Sequence, residues 1–326
     1  MTSLYRTIIA KAWEITKRYK FLWLFGFFAT LLGNAAEYKS LFKQIENIKN
    51  NSDALLNIGY QITLWGKIAQ SLQNVPLINA LAIILTLLFV ILIAIIFIWL
   101  IIVSQTALIQ SASLAENDKK VSFKESFLSS VRYFWPVFGM NLLAKLIIFL
   151  LLSLLFTPLL VILIAQGAKI SMFLTLVMVV IFVPIAIIIG FVAKYAVAYI
   201  VLQKKKFWEA LADGWKLFIQ NWLISLEMAL IVFVVNAALA FILILISVIL
   251  VSPFMLLGLI SGSSQVLYII MGGAIAIIAI IFMFSAAIFS TWQNTAWTLL
   301  FIKLEKGGVF PKIVRWVAAK IAKKEN

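Results

Sequence analysis

The uncharged run between Leu77 and Val103 is the sequence feature that most constrains how this chain can fold. From Asn79 it reads NALAIILTLLFVILIAIIFIWLIIV, without one Asp, Glu, Lys or Arg. A helix needs about 20 predominantly apolar residues to cross the hydrocarbon core of a bilayer. Similar runs recur along the chain, which is 64% apolar and only 12% charged. Soluble domains are about half apolar and about a quarter charged, so a water-soluble fold is excluded and a polytopic membrane protein is predicted.

Six apolar runs are expected to form the transmembrane helices of one all-α membrane domain that spans residues 1–326. Their approximate bounds are 21–36, 77–103, 137–165, 172–202, 223–251 and 266–301. The first run gives only about 24 Å of helix against a core of about 30 Å, so it must include the preceding turn or be re-entrant. Residues 37–76 are predicted to form an outer loop that carries an amphipathic helix. Residues 307–326 are predicted to form a basic amphipathic tail at the cytoplasmic surface.

Basic residues are distributed unevenly between the loops, and this distribution predicts the orientation. If all six runs cross, one side of the membrane holds twenty Lys and Arg and the other holds five; without the first crossing the split is fifteen to ten. By the positive-inside rule, the sharper asymmetry favours six crossings with both termini in the cytoplasm. The net charge of +15 is then expected to face anionic lipid headgroups at the cytoplasmic surface. No nucleic-acid partner is expected.

Two segments that lead into apolar runs resemble one another. They are FKESFLSSVRYFWPVF from Phe123 and FWEALADGWKLFIQNW from Phe207, at an offset of 84 residues. The matched pairs are Phe123 with Phe207, Glu125 with Glu209, Arg132 with Lys216, Phe134 with Phe218, and Phe138 with Trp222. The N-terminal IIAKAWEITKRYKFLWLF has the same character. The pattern predicts three hairpin repeats, each an interfacial amphipathic helix, an outward span and a returning span. Such parallel repeats differ from the inverted repeats of many secondary transporters.

The chain contains no His and no Cys, which excludes a thiolate nucleophile, an imidazole base and a Cys/His metal site. Glu125 and Glu209 recur at matched positions, as paired catalytic carboxylates would. A structural interpretation is favoured, because Ser122 and Glu125 fit an S-x-x-E capping box and Glu209 suits the first turn of a helix. We therefore expect no enzymatic activity, no catalytic residues, no bound cofactor and no metal.

Four polar residues inside apolar runs form the candidate site, a polar cavity that comprises Lys145, Lys194, Glu227 and Asn141. Polar groups are costly in lipid and default to functional candidates. The three charges are expected in the cytoplasmic half of the membrane. There they can hold an anionic headgroup or solute, or Glu227 can relay protons. The alternative is structural: the lysines extend to the interface, or one of them pairs with Glu227 to hold two helices together.

The N-terminal AWEITKRYKFLWLFGFFATLLG, the repeated interfacial helices and the small polar segments SQTALIQSAS and STWQNTAW together resemble a known group. It consists of uncharacterised six-helix prokaryotic membrane proteins, often described as the membrane domain found beside glycerophosphoryl diester phosphodiesterases. Members with the phosphodiesterase join a soluble catalytic barrel to this region, and these 326 residues contain no such barrel. The resemblance implies a helical module of a prokaryotic cytoplasmic membrane. It implies no catalytic activity and no site residues.

Two functions are consistent with these features. The first is a non-enzymatic integral membrane protein that binds lipid headgroups or organises a membrane complex. The second is a transporter or permease for an anionic or amphipathic solute, which would require a continuous aqueous cavity. The sequence favours the first, because the inverted repeats typical of many transporters are absent.

The charge distribution makes a topological prediction that can be tested with single cysteines, because the native chain has none. In intact cells, an impermeant maleimide should label Ser52→Cys, in the outer loop, and should spare Asp118→Cys, in a cytoplasmic loop. Labelling after permeabilisation provides the control for reactivity. Equal labelling of both positions in intact cells, or the reverse pattern, would contradict six crossings with an internal N-terminus.

Overall fold

The computed structural model describes residues 4–31, 63, 66, 76–166, 168–260 and 264–307. The regular secondary structure of these residues is α-helical throughout, as predicted. The helices are α1 (Leu4–Arg18), α2 (Leu22–Thr30), α3 (Leu77–Glu116), α4 (Phe123–Val131), α5 (Phe134–Gln166), α6 (Ala168–Gln203), α7 (Phe207–Gln220), α8 (Trp222–Ile260) and α9 (Ser264–Glu305).

Five helices in the described part of the chain are long and apolar enough to cross a membrane, which indicates a multi-pass membrane protein. The qualifying segments are Asn79–Glu116, Phe134–Leu154, Val177–Gln203, Trp222–Leu257 and Gln265–Glu305. They coincide with the second to sixth predicted runs. In the first predicted run, 21–36, the described helix covers only Leu22–Thr30. Nearly all of the predicted outer loop, 37–76, and all but the first residue of the predicted tail, 307–326, lie outside the described residues.

The helices extend beyond the apolar runs from which they were predicted. Helix α3 continues past Val103 through SQTALIQSAS to Glu116. Short hydroxyl side chains permit this because they can return a hydrogen bond to their own helix. The hydroxyl of Thr106 donates to the Ile102 carbonyl at 3.0 Å, and Thr106 is fully buried. Hydropathy ends a predicted helix where such residues begin, so the predicted end at residue 103 came too early.

The chain forms two compact units. The first contains the described residues within Met1–Leu32, Ile101–Val137 and Lys194–Asn326, and the second those within Gly33–Leu100 and Phe138–Ala193. In the first unit, α1 is amphipathic and buries one stripe of residues at helical spacing. The stripe comprises Tyr5, Ile8, Ala12 and Ile15. Residues three and four apart share one helix face, so α1 packs this face into the unit, mainly against α9.

Helix α2 lies against α9 in the opposite direction. The hydroxyl of Thr291 on α9 donates to the Leu22 carbonyl at 3.0 Å, and the hydroxyl of Thr30 lies 3.3 Å from the Ala286 carbonyl oxygen. Gly26, between them, faces the Ala287 carbonyl and the Thr291 hydroxyl so closely that a Cβ would overlap both. A small residue at this position allows the two backbones to approach. The close packing of α2 on α9 therefore depends on glycine at residue 26.

A buried carboxylate connects three helices of the first unit. Glu116, at the end of α3, lies 2.8 Å from the Lys11 ammonium of α1 and 3.7 Å from the Lys303 ammonium of α9. The Glu116 side chain is only 9% exposed. A buried charge without a partner is strongly destabilising, so Glu116 requires these lysines and fixes the ends of α3 and α9 against the middle of α1.

A second polar cluster holds α7 in place within the first unit. The Lys205 ammonium lies 2.7 Å from the Asp213 carboxylate and 4.4 Å from the centre of the Tyr199 ring. The Tyr199 hydroxyl in turn donates to Glu305, the last residue of α9. Cation–π and ionic contacts of this kind reinforce one another when they share one cation. The turn between α6 and α7 is thereby held against the end of α9.

Helices α4 and α7 begin at Phe123 and Phe207, the two residues that the sequence comparison aligned. Glu209 lies in the first turn of α7, as predicted. The predicted capping box at the start of α4 is wrong in its detail: Ser122 is the extended N-cap residue, but its side chain makes no capping hydrogen bond. Ser122 is exposed, so water can satisfy the amides of the first turn.

The second unit has a small apolar core between α5 and α6. Ile148 of α5 is buried with Phe182 and Ala186 of α6, and partly buried leucine, valine and isoleucine side chains surround them. By contrast, among the residues that the structure describes, none buries any of the 18-residue apolar window of α3. Lipid is therefore the expected environment of that surface.

The contact at Gly26 predicts a position that tolerates no larger side chain. Gly26→Ala should lower the free energy of unfolding by about 1–3 kcal/mol, because the new methyl group overpacks the interface between α2 and α9. Thermal or denaturant unfolding in detergent measures the change. Gly190→Ala is the matched control: its Cβ would meet nothing within 4 Å, so it should be neutral or stabilise by up to about 1 kcal/mol. Equal stability of the two variants would contradict the packing described.

Candidate functional site

A cavity of about 1040 Å³ lies within the first unit, between α1, α8 and α9. Its wall includes Glu227, and we refer to it as the Glu227 cavity. Small-molecule sites typically measure about 300–1,000 Å³ and are lined mainly by apolar groups with a few convergent polar ones. The Glu227 cavity fits this description, since ten of its fourteen lining residues are apolar or tryptophan.

Helix α8 forms one wall of the cavity with residues from its first half. From Glu227 the lining residues on α8 continue through Leu230, Ile231 and Val235 to Leu239. Their spacing of three and four residues places them near one side of the helix. At 1.5 Å per residue they cover about 18 Å along the helix axis. This wall therefore has a carboxylate at one end and an entirely apolar surface beyond it.

Helices α1 and α9 form the rest of the cavity. From α1 come Tyr5, Arg6 and Trp13, and from α9 come Phe289 and Trp292 with their neighbours. Helix α1 is amphipathic, so it can bury Tyr5 in the unit while the adjacent Arg6 remains exposed at the edge of the cavity. The indole nitrogen of Trp292 lies 3.4 Å from the Ile9 carbonyl oxygen, which links the two helices across the wall.

The polar end of the cavity is organised by a hydrogen bond between distant parts of the chain. The hydroxyl of Tyr5 donates to the carboxylate of Glu227. Tyr5 is 4% exposed and Glu227 is half-buried. A hydrogen bond to a charged group contributes about 1.5–3 kcal/mol. This contact therefore fixes α1 against α8 and orients the carboxylate.

The lining residues determine which chemistry the cavity supports. The lining includes one acidic and one basic residue, Glu227 and Arg6. Most of the other lining residues are aliphatic or aromatic. An amphiphile with a polar head and an apolar chain matches this distribution. Among the residues that the structure describes, no group of three or more Asp or Glu side chains is placed to hold a metal ion.

The four residues predicted from the sequence occupy different environments. Glu227 lines the cavity, and Lys194 of α6 does not; its ammonium lies 4.4 Å from the centre of the Trp297 ring on α9. A cation–π contact of this kind attracts the ammonium to the electron-rich face of the ring. Lys145 and Asn141 lie on α5 in the second unit, Lys145 exposed and Asn141 half-buried. The structure thus gives Glu227 and Lys194 neighbours that the sequence analysis did not anticipate.

Sequence analysis missed the contributions of Tyr5, Arg6 and Trp292 to the cavity. The signal that could have identified Tyr5 was the apolar stripe of α1, in which a tyrosine begins the repeating positions. Nothing in the local sequence points from Tyr5 to Glu227, because 222 positions separate them. Trp292 belongs to the STWQNTAW segment, which was interpreted only as a small polar helix end.

Comparison of the chain with protein-family models, with curated proteins and with solved structures finds no match.

The contact between Tyr5 and Glu227 predicts a measurable coupling. Tyr5→Phe and Glu227→Gln should each destabilise the protein, and the double variant should lose less than the sum of the two by about 1.5–3 kcal/mol. Unfolding in detergent gives the four free energies of the cycle. Tyr268→Phe is the control, because that ring is 75% exposed, and it should change stability little. Additive losses would show that Tyr5 and Glu227 do not interact.

Proposed function

We propose that this chain is a non-enzymatic integral membrane protein that binds membrane lipids, with the acyl chain of one lipid held in the Glu227 cavity. The observation that carries the proposal is the distribution of groups along α8, with Glu227 at one end and apolar residues as far as Leu239. This wall is about 18 Å long. One leaflet of a bilayer core is about 15 Å thick, so the wall has the length needed to accompany one acyl chain.

The proposal includes six crossings arranged as three hairpin repeats. The order of helices supports it, because each of the short helices α1, α4 and α7 precedes two further helical segments. The antiparallel packing of α2 on α9 also supports a first crossing, since neighbouring crossings of opposite direction pack in this way. In this arrangement α2, α5 and α8 run outward and α3, α6 and α9 return.

The proposed orientation places both termini in the cytoplasm and the polar end of the Glu227 cavity in the cytoplasmic half of the membrane. Three exposed tryptophans support a nearby interface: Trp135, Trp208 and Trp222 are 75%, 72% and 55% exposed and lie close to the starts of α5, α7 and α8. Tryptophan is enriched at the headgroup level of membranes. These rings then mark the level at which a headgroup would lie.

The lysines of the connecting segments support the binding of anionic headgroups at the same surface. Lys119, Lys120 and Lys124 are exposed around the start of α4, and Lys204 and Lys206 are exposed before α7. Each basic residue near an anionic leaflet contributes about 1 kcal/mol of attraction. The protein would therefore attract anionic lipid generally, whereas the cavity would hold one lipid at a defined position.

A transporter or permease for an anionic or amphipathic solute is the alternative proposal. The apolar lining of the Glu227 cavity supports lipid binding over transport of a hydrated solute, because a hydrated ion gains little in such a site. Membership of the six-helix prokaryotic group that the sequence resembles is also proposed. It would place the protein in a prokaryotic cytoplasmic membrane, where it could additionally organise a membrane complex.

Filling the cavity tests the proposed function. Ala10 lines the cavity from the exposed side of α1, so Ala10→Trp should occupy space that an acyl chain would use. If the tryptophan displaces three methylene groups of the acyl chain from the cavity, at about 0.8 kcal/mol each, lipid retention should weaken more than about tenfold. Native mass spectrometry of protein purified in mild detergent measures the retained lipid.

The matched control is Ala276→Trp, which adds the same side chain at an exposed position of α9 outside the cavity. It should leave lipid retention unchanged. Equal retention by the Ala10→Trp variant and the native protein would refute binding in the cavity. Loss of retention in both variants would assign the bound lipid to the general surface instead.

A further inference from the structure

Asn236 is the sole polar residue in the stretch of α8 between Met228 and Ile246. It lies 14 positions after Trp222, or about 21 Å along the helix. The nearest charged residue on α8, Glu227, is nine positions away, or about 14 Å. An amide at this position is therefore inside the hydrocarbon region of a crossing helix.

The Asn236 side chain is exposed, and no residue that the structure describes forms a hydrogen bond with it. Two other polar residues on the apolar helices are satisfied within their own helices. The hydroxyl of Ser247 donates to the Leu243 carbonyl at 2.7 Å, and that of Thr86 to the Ala82 carbonyl at 2.8 Å. An asparagine amide has two donor hydrogens and a carbonyl acceptor, and at Asn236 none of them is used within the described chain.

Lipid chains cannot compensate for this. Transfer of an amide to an environment without hydrogen-bonding partners is strongly unfavourable, and in membranes such side chains form hydrogen bonds across helices. A partner that offers both a donor and an acceptor at the same depth would satisfy Asn236. A second Asn236 does so under two-fold symmetry, since each amide can donate to the carbonyl of the other.

We propose that two copies of this chain associate within the membrane through an Asn236–Asn236 amide hydrogen bond between their α8 helices. The neighbouring residues permit the close approach that this contact needs. Ala237 follows directly and Ala240 lies one turn further, and both are exposed. A small side chain four positions from a polar one is a common feature of packed transmembrane helices.

The proposed contact surface is separate from the Glu227 cavity. The cavity is lined by Leu230, Val235 and Leu239 of α8, whereas Asn236 and Ala240 do not line it. Association through Asn236 therefore does not depend on whether the cavity holds a lipid. The dimer requires only that α8 crosses the membrane.

Single-molecule photobleaching of the labelled full chain in liposomes, over a range of dilutions in lipid, tests the proposal. The native protein should form dimers, and Asn236→Leu should weaken dimerisation about 5- to 30-fold, as expected for one interhelical hydrogen bond of about 1–2 kcal/mol. Asn236→Gln retains the amide and should restore much of the association. Thr86→Val removes a polar group that is satisfied within its own helix and should have no effect.

A cysteine placed one turn from Asn236 locates the interface. Ala240→Cys should form an oxidative cross-link between two copies, and the cross-link should be lost when Asn236→Leu is added. The absence of other cysteines makes the product unambiguous. A native protein that remains monomeric at every dilution would overturn the proposal. This outcome would also cover the case in which Asn236 contacts a different protein. A dimer that Asn236→Leu leaves unchanged would overturn it as well.

Discussion

Hydrogen bonds that polar side chains make within the protein are the constraint on which the first unit depends. In a hydrocarbon environment each unsatisfied polar group costs several kcal/mol, yet the buried residues of this unit include many serines and threonines. Their side chains are short enough to bond to the preceding turn or to a facing helix. Ser111 and Ser126 show the second case, because their hydroxyls lie 2.9 Å apart between α3 and α4. Once satisfied, such residues pack more closely than leucine would allow.

This packing also determines where the candidate site lies. Helix α1 is held on one side by Glu116 and Lys11 and on another by its buried contact with α9, so its remaining surface faces α8 across the Glu227 cavity. Tyr5 and Glu227, which are joined by a hydrogen bond, both line that space. The cavity therefore lies beside an amphipathic helix that is packed firmly into the unit.

The sequence predicted that the protein is all-helical and the approximate positions of five helices that are long and apolar enough to cross a membrane, because hydropathy can be calculated for each segment alone. It also located the starts of α4 and α7, since the aligned phenylalanines coincide with the first helical residues. It underestimated the length of α3, where hydropathy falls but the helix continues to Glu116. It did not predict the contacts of Glu227 with Tyr5 or of Lys194 with Trp297, because these depend on helices that are distant in sequence. The hydropathy of a segment can be calculated from that segment alone, whereas its contacts with helices that are distant in sequence cannot.

The exposed surface of α3 has a consequence for how the chain is assembled. The side chains from Leu81 to Ile98 are all exposed in the part of the chain that the structure describes, and fifteen of these residues are Leu, Ile, Val or Phe. On insertion scales each such residue favours the membrane by about 0.3–0.6 kcal/mol, which sums to about 5–9 kcal/mol for the segment. This segment can therefore partition into the bilayer during synthesis without any contact from its neighbours.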